Sequence, residues 1–398
     1  MKNPFNARAP SFDADAINAT IQRALASAGL DTATGPMHDV TETIRRALNA
    51  GRPVDAAQSH HGSPVIDVTA RLVPAGEGPH AAREREPLVR DAQPQPGSFA
   101  THEFSNNAGS RAYKVYVPLA KSEAPRPLIV MLHGCTQSAD DFAAGTQMNR
   151  LADEHGFLVV YPEQAAQANV SKCWNWFKPE DQRRGTGEPS IIAGIVREVA
   201  QKHGADPRRI FVAGLSAGAA MAVVLGETYP ELFAGVGAHS GLPYGSAHDI
   251  PSAMAAMKGG LSGMPGLKNV TGASAAPRKK TVQAVPVIVF HGDRDHTVQQ
   301  TNGAHIVQQA RDAHGAQPGE ASLSASTQSG VARGGQRFSR TVHADTEGQA
   351  RVESWVLHGA GHAWSGGHAS GSYTDATGPD ASAEMVRFFM SLPRATRE

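Results

Sequence analysis

The chain has 398 residues, 40% of them hydrophobic, enough to bury one large core or two ordinary ones. Its 37 Lys and Arg residues balance 37 Asp and Glu residues, which argues against a nucleic-acid partner or steering toward an anionic membrane surface. No apolar run approaches the roughly 18–20 residues of a membrane span, and two cysteines, Cys135 and Cys173, are too few for a disulfide scaffold.

The N-terminal stretch MKNPFNARAPSFDADA has one Lys but no apolar segment behind it, so it is not a secretory signal as written. The protein stays inside, leaves by another route, or has its true start upstream. By spacing alone the two cysteines form one bridge or stay free, and the missing export signal favours free thiols. Residues 1–97 read as an extension. Two helical patterns, Ala16–Leu30 and Val40–Ala50, share a motif, Thr20-Ile21-Gln22-Arg23-Ala24-Leu25 against Thr43-Ile44-Arg45-Arg46-Ala47-Leu48. This is either a duplicated helix or a coincidence of two Ala-rich amphipathic stretches. From Gly51 to Gly97 the chain is rich in Pro, Gly, Arg and His, and reads as a linker.

A strand–helix alternation begins near Thr101. Arg111–Val117 alternates and ends at Pro118. Apolar runs follow at Leu128–Leu132, Phe157–Tyr161, Ile210–Ala213, Pro286–Phe290 and Val352–Leu357. Such runs suit strands covered on both faces. Helical patterns lie between them at Asp141–His155, Ser190–His203, Ala217–Thr228 and Thr301–His314. A last one, Ala381–Leu392, has Asp380 as its expected N-cap. The pattern predicts an α/β fold over residues 98–393, a mostly parallel sheet between two helix layers, with 394–398 as a tail. Ile250–Val285 and Ala316–Arg337 interrupt the alternation and read as irregular lids or binding loops.

Gly214-Leu215-Ser216-Ala217-Gly218 is the central motif. Chance produces G-x-S-x-G readily in a chain with 41 glycines. Here, however, it follows the strand Ile210–Ala213 and opens a helix of small residues, the setting of the nucleophile elbow of the α/β-hydrolase fold. A serine hydroxyl needs a base to take its proton, and in this fold the acid and then the histidine come later in the chain. The acid is Asp295 or Asp293, in the loop after Pro286–Phe290, with Asp295 favoured because it follows the turn His291-Gly292. The base is His362, on a Gly-flanked loop beyond Val352–Leu357. His358 reads as the strand terminus and His368 as further into the loop. Backbone N–H groups of Cys135, after the strand Leu128–Leu132, and of Ala217 are the expected oxyanion donors; one such donor is typically worth ~3 kcal/mol of barrier. A metal on His358, His362 and His368 is disfavoured, because a spacing of four suits ligands only on a helix and two glycines argue against one. No HExxH occurs. No cofactor is expected.

Leu132-His133-Gly134-Cys135-Thr136-Gln137, Cys173-Trp174-Asn175-Trp176-Phe177, Gly214–Gly218, His291–Val298 and Gly361-His362-Ala363-Trp364-Ser365-Gly366-Gly367 together resemble the polyhydroxybutyrate depolymerase family of esterases, whose relatives include feruloyl and acetylxylan esterases. The resemblance runs from about Ala100 to Leu392. It implies a Ser216–Asp295–His362 triad, a Cys135–Cys173 disulfide, and in many relatives an extracellular role on polyester or plant-polysaccharide esters. Many secreted depolymerases carry a polymer-binding domain after the catalytic one. This chain stops at Glu398, which shifts the expectation toward oligomers, amorphous polymer or small esters. Leu215, Trp174, Trp176, Tyr244 and Trp364 are the expected walls of an apolar substrate pocket. The opposing reading is a non-catalytic module that binds polyester or glycan.

Overall fold

A computed structural model describes residues 97–120, 122, 124–260, 284–315 and 322–394. The two N-terminal helical patterns lie outside these residues, as does the linker except for Gly97 at its end.

The described residues build a ten-stranded sheet. In chain order its strands are β1 (Ser98–Asn106), β2 (Gly109–Val117), β3 (Arg126–Leu132), β4 (Leu158–Pro162), β5 (Ala205–Leu215), β6 (Gly235–His239), β7 (Val287–Gly292), β8 (Ser324–Val331), β9 (Arg337–Ala344) and β10 (Ala350–Leu357). Their spatial order is β1-β2-β4-β3-β5-β6-β7-β10-β9-β8. The six strands from β4 to β10 in that order run parallel. Antiparallel pairs, β1–β2 and β9–β8, flank them on both sides. The helices are α1 (Ala139–Thr146), α2 (Met148–His155), α3 (Gly187–His203), α4 (Ala217–Thr228), α5 (Ile250–Met257), α6 (Thr301–Gly315) and α7 (Ala381–Ser391).

The apolar runs are continuous because each strand feeds two cores. Leu128, Val130 and Leu132 of β3 enter one core with Ile191, Ile195 and Val199 of α3 and the small residues of α4. Ile129 and Met131 point the other way, into a core with Phe142 of α1, Leu151 of α2 and Met385, Phe388 and Phe389 of α7. Alternation along a strand delivers successive side chains to opposite faces. Each fully buried side chain of this size is worth about 1.5–3 kcal/mol. As expected, the Asp380 side chain caps α7 by accepting the Ala383 N–H.

The structure departs from the sequence reading in several places. The helix expected over Asp141–His155 is two helices, broken at Gln147, whose φ of 54° ends one and begins the next. The strand β6 has the sequence GVGAH, too poor in β-branched residues to read as a strand. Ala316–Arg337 is not a plain irregular insert: its residues 324–331 form β8, which pairs with β9. Both faces of β8 are largely exposed, so its Ser, Thr and Gly composition carries no burial pattern. Ile250–Val285 opens with α5, and its residues 261–283 lie outside those described.

The chain runs from β3 to β4 on one side, then returns to place β5 on the other side of β3. Crevices in open α/β sheets form at the carboxyl ends of strands where the winding reverses in this way. The loop after β3 and Ser216 after β5 therefore meet there.

Candidate active site

The glycines of the central motif are dictated by contact. A Cβ on Gly218 would lie 2.1 Å from the Leu132 carbonyl oxygen, and one on Gly214 would lie 2.5 Å from the Gly218 carbonyl carbon. Only glycine lets α4 start this close to β3 and β5. Between them Ser216 adopts φ 57° and ψ −120°, strained backbone that costs of order 1–3 kcal/mol and persists only where its surroundings enforce it. The enforcement is visible: the Ser216 N–H donates to the His239 carbonyl at 2.9 Å. The strain sets the hydroxyl at the carboxyl edge of the sheet, with α4 beginning beneath it.

Asp295 lies in the loop after β7 and His362 in the loop after β10, its parallel neighbour. His362 Nδ1 is 2.7 Å from Asp295 Oδ2. The other oxygen, Oδ1, accepts the backbone N–H groups of Thr297 at 2.9 Å and Val298 at 2.8 Å. Burial pushes the Asp295 carboxyl upward, but these hydrogen bonds and the facing imidazole outweigh it and hold it below the usual carboxylate range. An ionised carboxylate can only accept, so Nδ1 is the donor and Nε2 is the ring nitrogen left facing away from Asp295. Ser216 and His362 share no hydrogen bond in this structure; in an unliganded site such a contact is often long.

The alternative acid is engaged elsewhere. Asp293 Oδ2 lies 3.0 Å from His358 Nδ1, and its Oδ1 accepts the Gly359 N–H at 2.7 Å. This pair is over a third exposed. His358 Nε2 is bound to Ser339 Oγ at 2.9 Å, on β9. His368 bonds Ser370 and faces solvent. Among the described residues no group of three His, Cys, Asp or Glu side chains could hold a metal.

The loop after β3 consumes its own amides. Gly134 N–H donates to Gln137 Oε1 at 2.9 Å, Thr136 N–H to the Ser171 carbonyl at 2.7 Å, and Gln137 N–H to the Gly134 carbonyl. His133 is buried and ties the loop to the end of β4: its Nε2 accepts the Gln164 N–H at 3.0 Å, so its Nδ1–H donates to the Gly134 carbonyl. Within residues 134–137 this leaves the Cys135 N–H without an internal acceptor. The Ala217 N–H, first in α4, is likewise one of the amides that a helix start leaves over.

The cysteine expectation from spacing is corrected: Cys135 and Cys173 form a disulfide, as the resemblance implied. It joins the loop after β3 to the segment carrying Trp174 and Trp176. That segment is anchored by buried Glu188, whose carboxylate accepts from Asn175 N–H, Asn175 Nδ2 and Arg111.

Most of the expected pocket walls are corrected too. Trp174, Trp364 and Leu215 are at most 1% exposed, and so present no surface to a ligand. Trp174 packs on His133. Trp364 donates its indole N–H to Ser382 and meets Phe142 edge to face. Trp176 is 6% exposed. Tyr244 is half-buried, with its hydroxyl donating to the Gln182 carbonyl. Sequence reading missed Tyr373. It is 48% exposed, sits at φ 52°, and its hydroxyl lies 3.2 Å from Thr136 Oγ1, beside Cys135. Thr136 spends its own proton on the Cys135 carbonyl, so Tyr373 is the donor. Gln137 was missed as well; its amide bridges Gly134 to Asp141 and Ser372. No local motif signals the Tyr373–Thr136 and Gln137–Ser372 contacts, because they span 237 and 235 residues.

The chain is similar to known esterases. Poly(3-hydroxyalkanoate) depolymerase C of Paucimonas lemoignei is 34% identical over 268 residues, which cover 65% of this chain and 60% of that protein. Poly(3-hydroxybutyrate) depolymerase of Ralstonia pickettii is 27% identical over 303 residues, 71% of this chain and 59% of that protein. The chain thus spans about 60% of the length of these curated relatives. Feruloyl esterase B of Thermothelomyces thermophilus is 33% identical over 152 residues, 38% of this chain and 51% of that protein. In fold, the chain is similar to an acetyl xylan esterase from Aspergillus awamori, with a TM-score of 0.55 at 20% identity over 74% of this chain and all of that one. The model of the family described as Esterase PHB depolymerase matches residues 111–325, more than half of the chain and the stretch that holds the elbow, the loop after β3 and Asp295. The chain belongs to that esterase family.

Proposed function

We propose that this chain hydrolyses carboxylic esters through an acyl-enzyme on Ser216. Its substrate class is a short-chain hydroxyalkanoate polyester or its oligomers. The observation that carries the reading is the pair of buried Asp295 and half-buried His362, 2.7 Å apart, in loops on the same edge of the sheet as the strained Ser216. Asp295 orients His362 and stabilises the imidazolium as it forms. His362 Nε2 takes the Ser216 proton during attack on the ester carbonyl, then protonates the departing alcohol. The Cys135 and Ala217 N–H groups hold the oxyanion. Water then cleaves the acyl-enzyme by the same route.

The polyester reading rests on two depolymerases that match 268 and 303 residues. Feruloyl and acetylxylan esters are the second reading, supported by relatives at 33–34% identity over shorter stretches. An extracellular site of action is supported by the Cys135–Cys173 disulfide, since such bonds persist in oxidising compartments. No helix among the described residues is long and apolar enough to cross a membrane.

Ser216→Ala should abolish hydrolysis of p-nitrophenyl acetate and labelling by a fluorophosphonate, with an unchanged circular-dichroism spectrum. Turnover like that of the wild type would sink the assignment. Hydroxybutyrate oligomers, amorphous polymer, methyl ferulate and acetylated xylan, assayed side by side, decide the substrate. The polyester reading requires the highest kcat/KM on the oligomers.

A further inference from the structure

His239 is fully buried and has no part in the chemistry above, yet it touches both halves of the site. It ends β6, between the strand that leads to Ser216 and the strand that leads to Asp295. Its backbone carbonyl accepts the Ser216 N–H at 2.9 Å. Its side-chain Nε2 accepts the Ser365 N–H at 3.1 Å. A ring nitrogen that accepts from an amide carries no proton, so the proton is on Nδ1, 3.3 Å from Ser240 Oγ.

The ring is held in one plane. It stacks on Phe290 at 5.8 Å and 8° on one side and on Trp364 at 5.2 Å and 26° on the other. Burial drives its pKa down to about 3, and the neighbouring imidazoles of His291 and His362 push the same way against Asp295. The ring therefore stays neutral and its Nε2 lone pair stays available at any working pH.

Ser365 is three residues beyond His362. The connection from β10 holds Gly359 at φ 81° and Gly361, with no neighbour within 4 Å of a Cβ built there. Such a segment has little rigidity of its own. It is pinned at His362 by Asp295, about which the imidazole can still pivot. Other hydrogen bonds hold it too, from Gly359 N–H to Asp293, from Arg294 N–H to the Ala360 carbonyl and from Trp364 N–H to the Tyr373 carbonyl; His239 ties it to β6, at Ser365.

We infer that His239 is a positioning residue, which registers the Ser216 elbow through its backbone against the His362 loop through its side chain and so sets the Ser216–His362 separation. This rests on the proposed roles of Ser216 and His362. A displacement of about 1 Å between reacting groups can cost 10²-fold in rate, so the anchor is catalytic in its effect although it touches no substrate.

Two substitutions separate this role from packing. His239→Phe keeps a ring between Phe290 and Trp364 but removes the acceptor. His239→Gln loses the ring but offers an amide oxygen near the Nε2 position. For hydrolysis of p-nitrophenyl acetate, the Phe variant should lose about 10–100-fold in kcat with KM within about twofold. The Gln variant should recover most of kcat despite a lower Tm. If activity instead follows Tm, with the Phe variant the more active, His239 is only a packing residue and the inference is overturned. Wild-type protein gives an independent readout. The ¹⁵N shifts of the His239 ring should report the Nδ1–H tautomer throughout pH 5–9. An Nε2–H tautomer, or titration in that range, overturns the inference even if neither variant folds. These shifts do not depend on Ser216, so failure of the esterase reading, seen as an active Ser216→Ala, is distinguishable.

Discussion

The carboxylate of Asp295 is completely buried and lies 2.7 Å from His362 Nδ1, whereas Asp293, two residues earlier, holds His358 at the surface. Two Asp–His pairs thus bridge the same two loops. Burial separates them, because an exposed pair is worth about 0–1 kcal/mol while a buried carboxylate fixes its partner's tautomer.

Asp295→Asn should therefore cut kcat by about 10⁴, since the amide can present N–H to Nδ1 and turn the imidazole to the wrong tautomer. Asp293→Asn should leave kcat within about threefold. Steady-state hydrolysis of p-nitrophenyl acetate checks both. Comparable losses would reassign the acid.

The elbow glycines make a stability prediction. Gly218→Ala would push a Cβ to 2.1 Å from a backbone carbonyl, which cannot move aside as a side-chain tip can. A loss of about 3 kcal/mol or more is expected in urea denaturation. Gly361→Ala is the control. Open space surrounds its Cβ position, so a gain of about 0.4–1 kcal/mol is expected from the reduced freedom of the unfolded chain.

The disulfide closes a loop of sequence separation 38. Loop-closure entropy for that length predicts that replacing both cysteines by alanine costs about 4 kcal/mol. The loop it tethers carries the proposed Cys135 N–H donor, so kcat should also fall, by about 10²–10³-fold where that donor is displaced. Urea titration and single-substrate kinetics on the double variant test the two effects separately. Unchanged kcat would show that the internal hydrogen bonds of residues 134–137 hold the donor unaided.

Asp181 yields a pH dependence. Its carboxyl accepts the Glu188 N–H at 2.6 Å. Burial, and next the Glu188 charge, push it up to about 7 from 3.8. Between those values the unfolded chain has released a proton that the folded chain keeps. Stability from this group is thus full below about pH 4, falls as pH rises to about 7, and is level above that. Asp181→Asn keeps an acceptor for Glu188 and does not titrate. The Tm of the variant minus that of the wild type should therefore grow from pH 4 to 7. A difference that is flat with pH would show that Asp181 is ionised in the folded protein.

The proposed triad of Ser216, Asp295 and His362 could be read from sequence because each lies on a short local signature. Gly214 is forced by the Gly218 carbonyl within the turn, while Gly218 is forced by the Leu132 and His133 carbonyls at the end of β3, and the acid and base loops follow apolar strands whose two buried faces leave continuous runs. β6 was not legible, since Gly, Val, Gly, Ala and His form a strand only because β5 and β7 stand ready on both sides with backbone partners. Trp364 shows the same limit from another direction. An aromatic on a catalytic loop looks the same in sequence whether it faces substrate or core, and here Phe142, His239 and Ser382 enclose it.

The chain order of the proposed nucleophile, acid and base, and the short motifs that carry them, are thus written locally in the residues. Their mutual registration is not. It depends on His239 meeting Ser365 across 126 positions, on Gln137 reaching Ser372 across 235 and on Tyr373 reaching Thr136 across 237. Hydrogen bonds of that span form only after the parallel sheet has brought the carboxyl ends of its strands to one edge, and no short-range pattern encodes them.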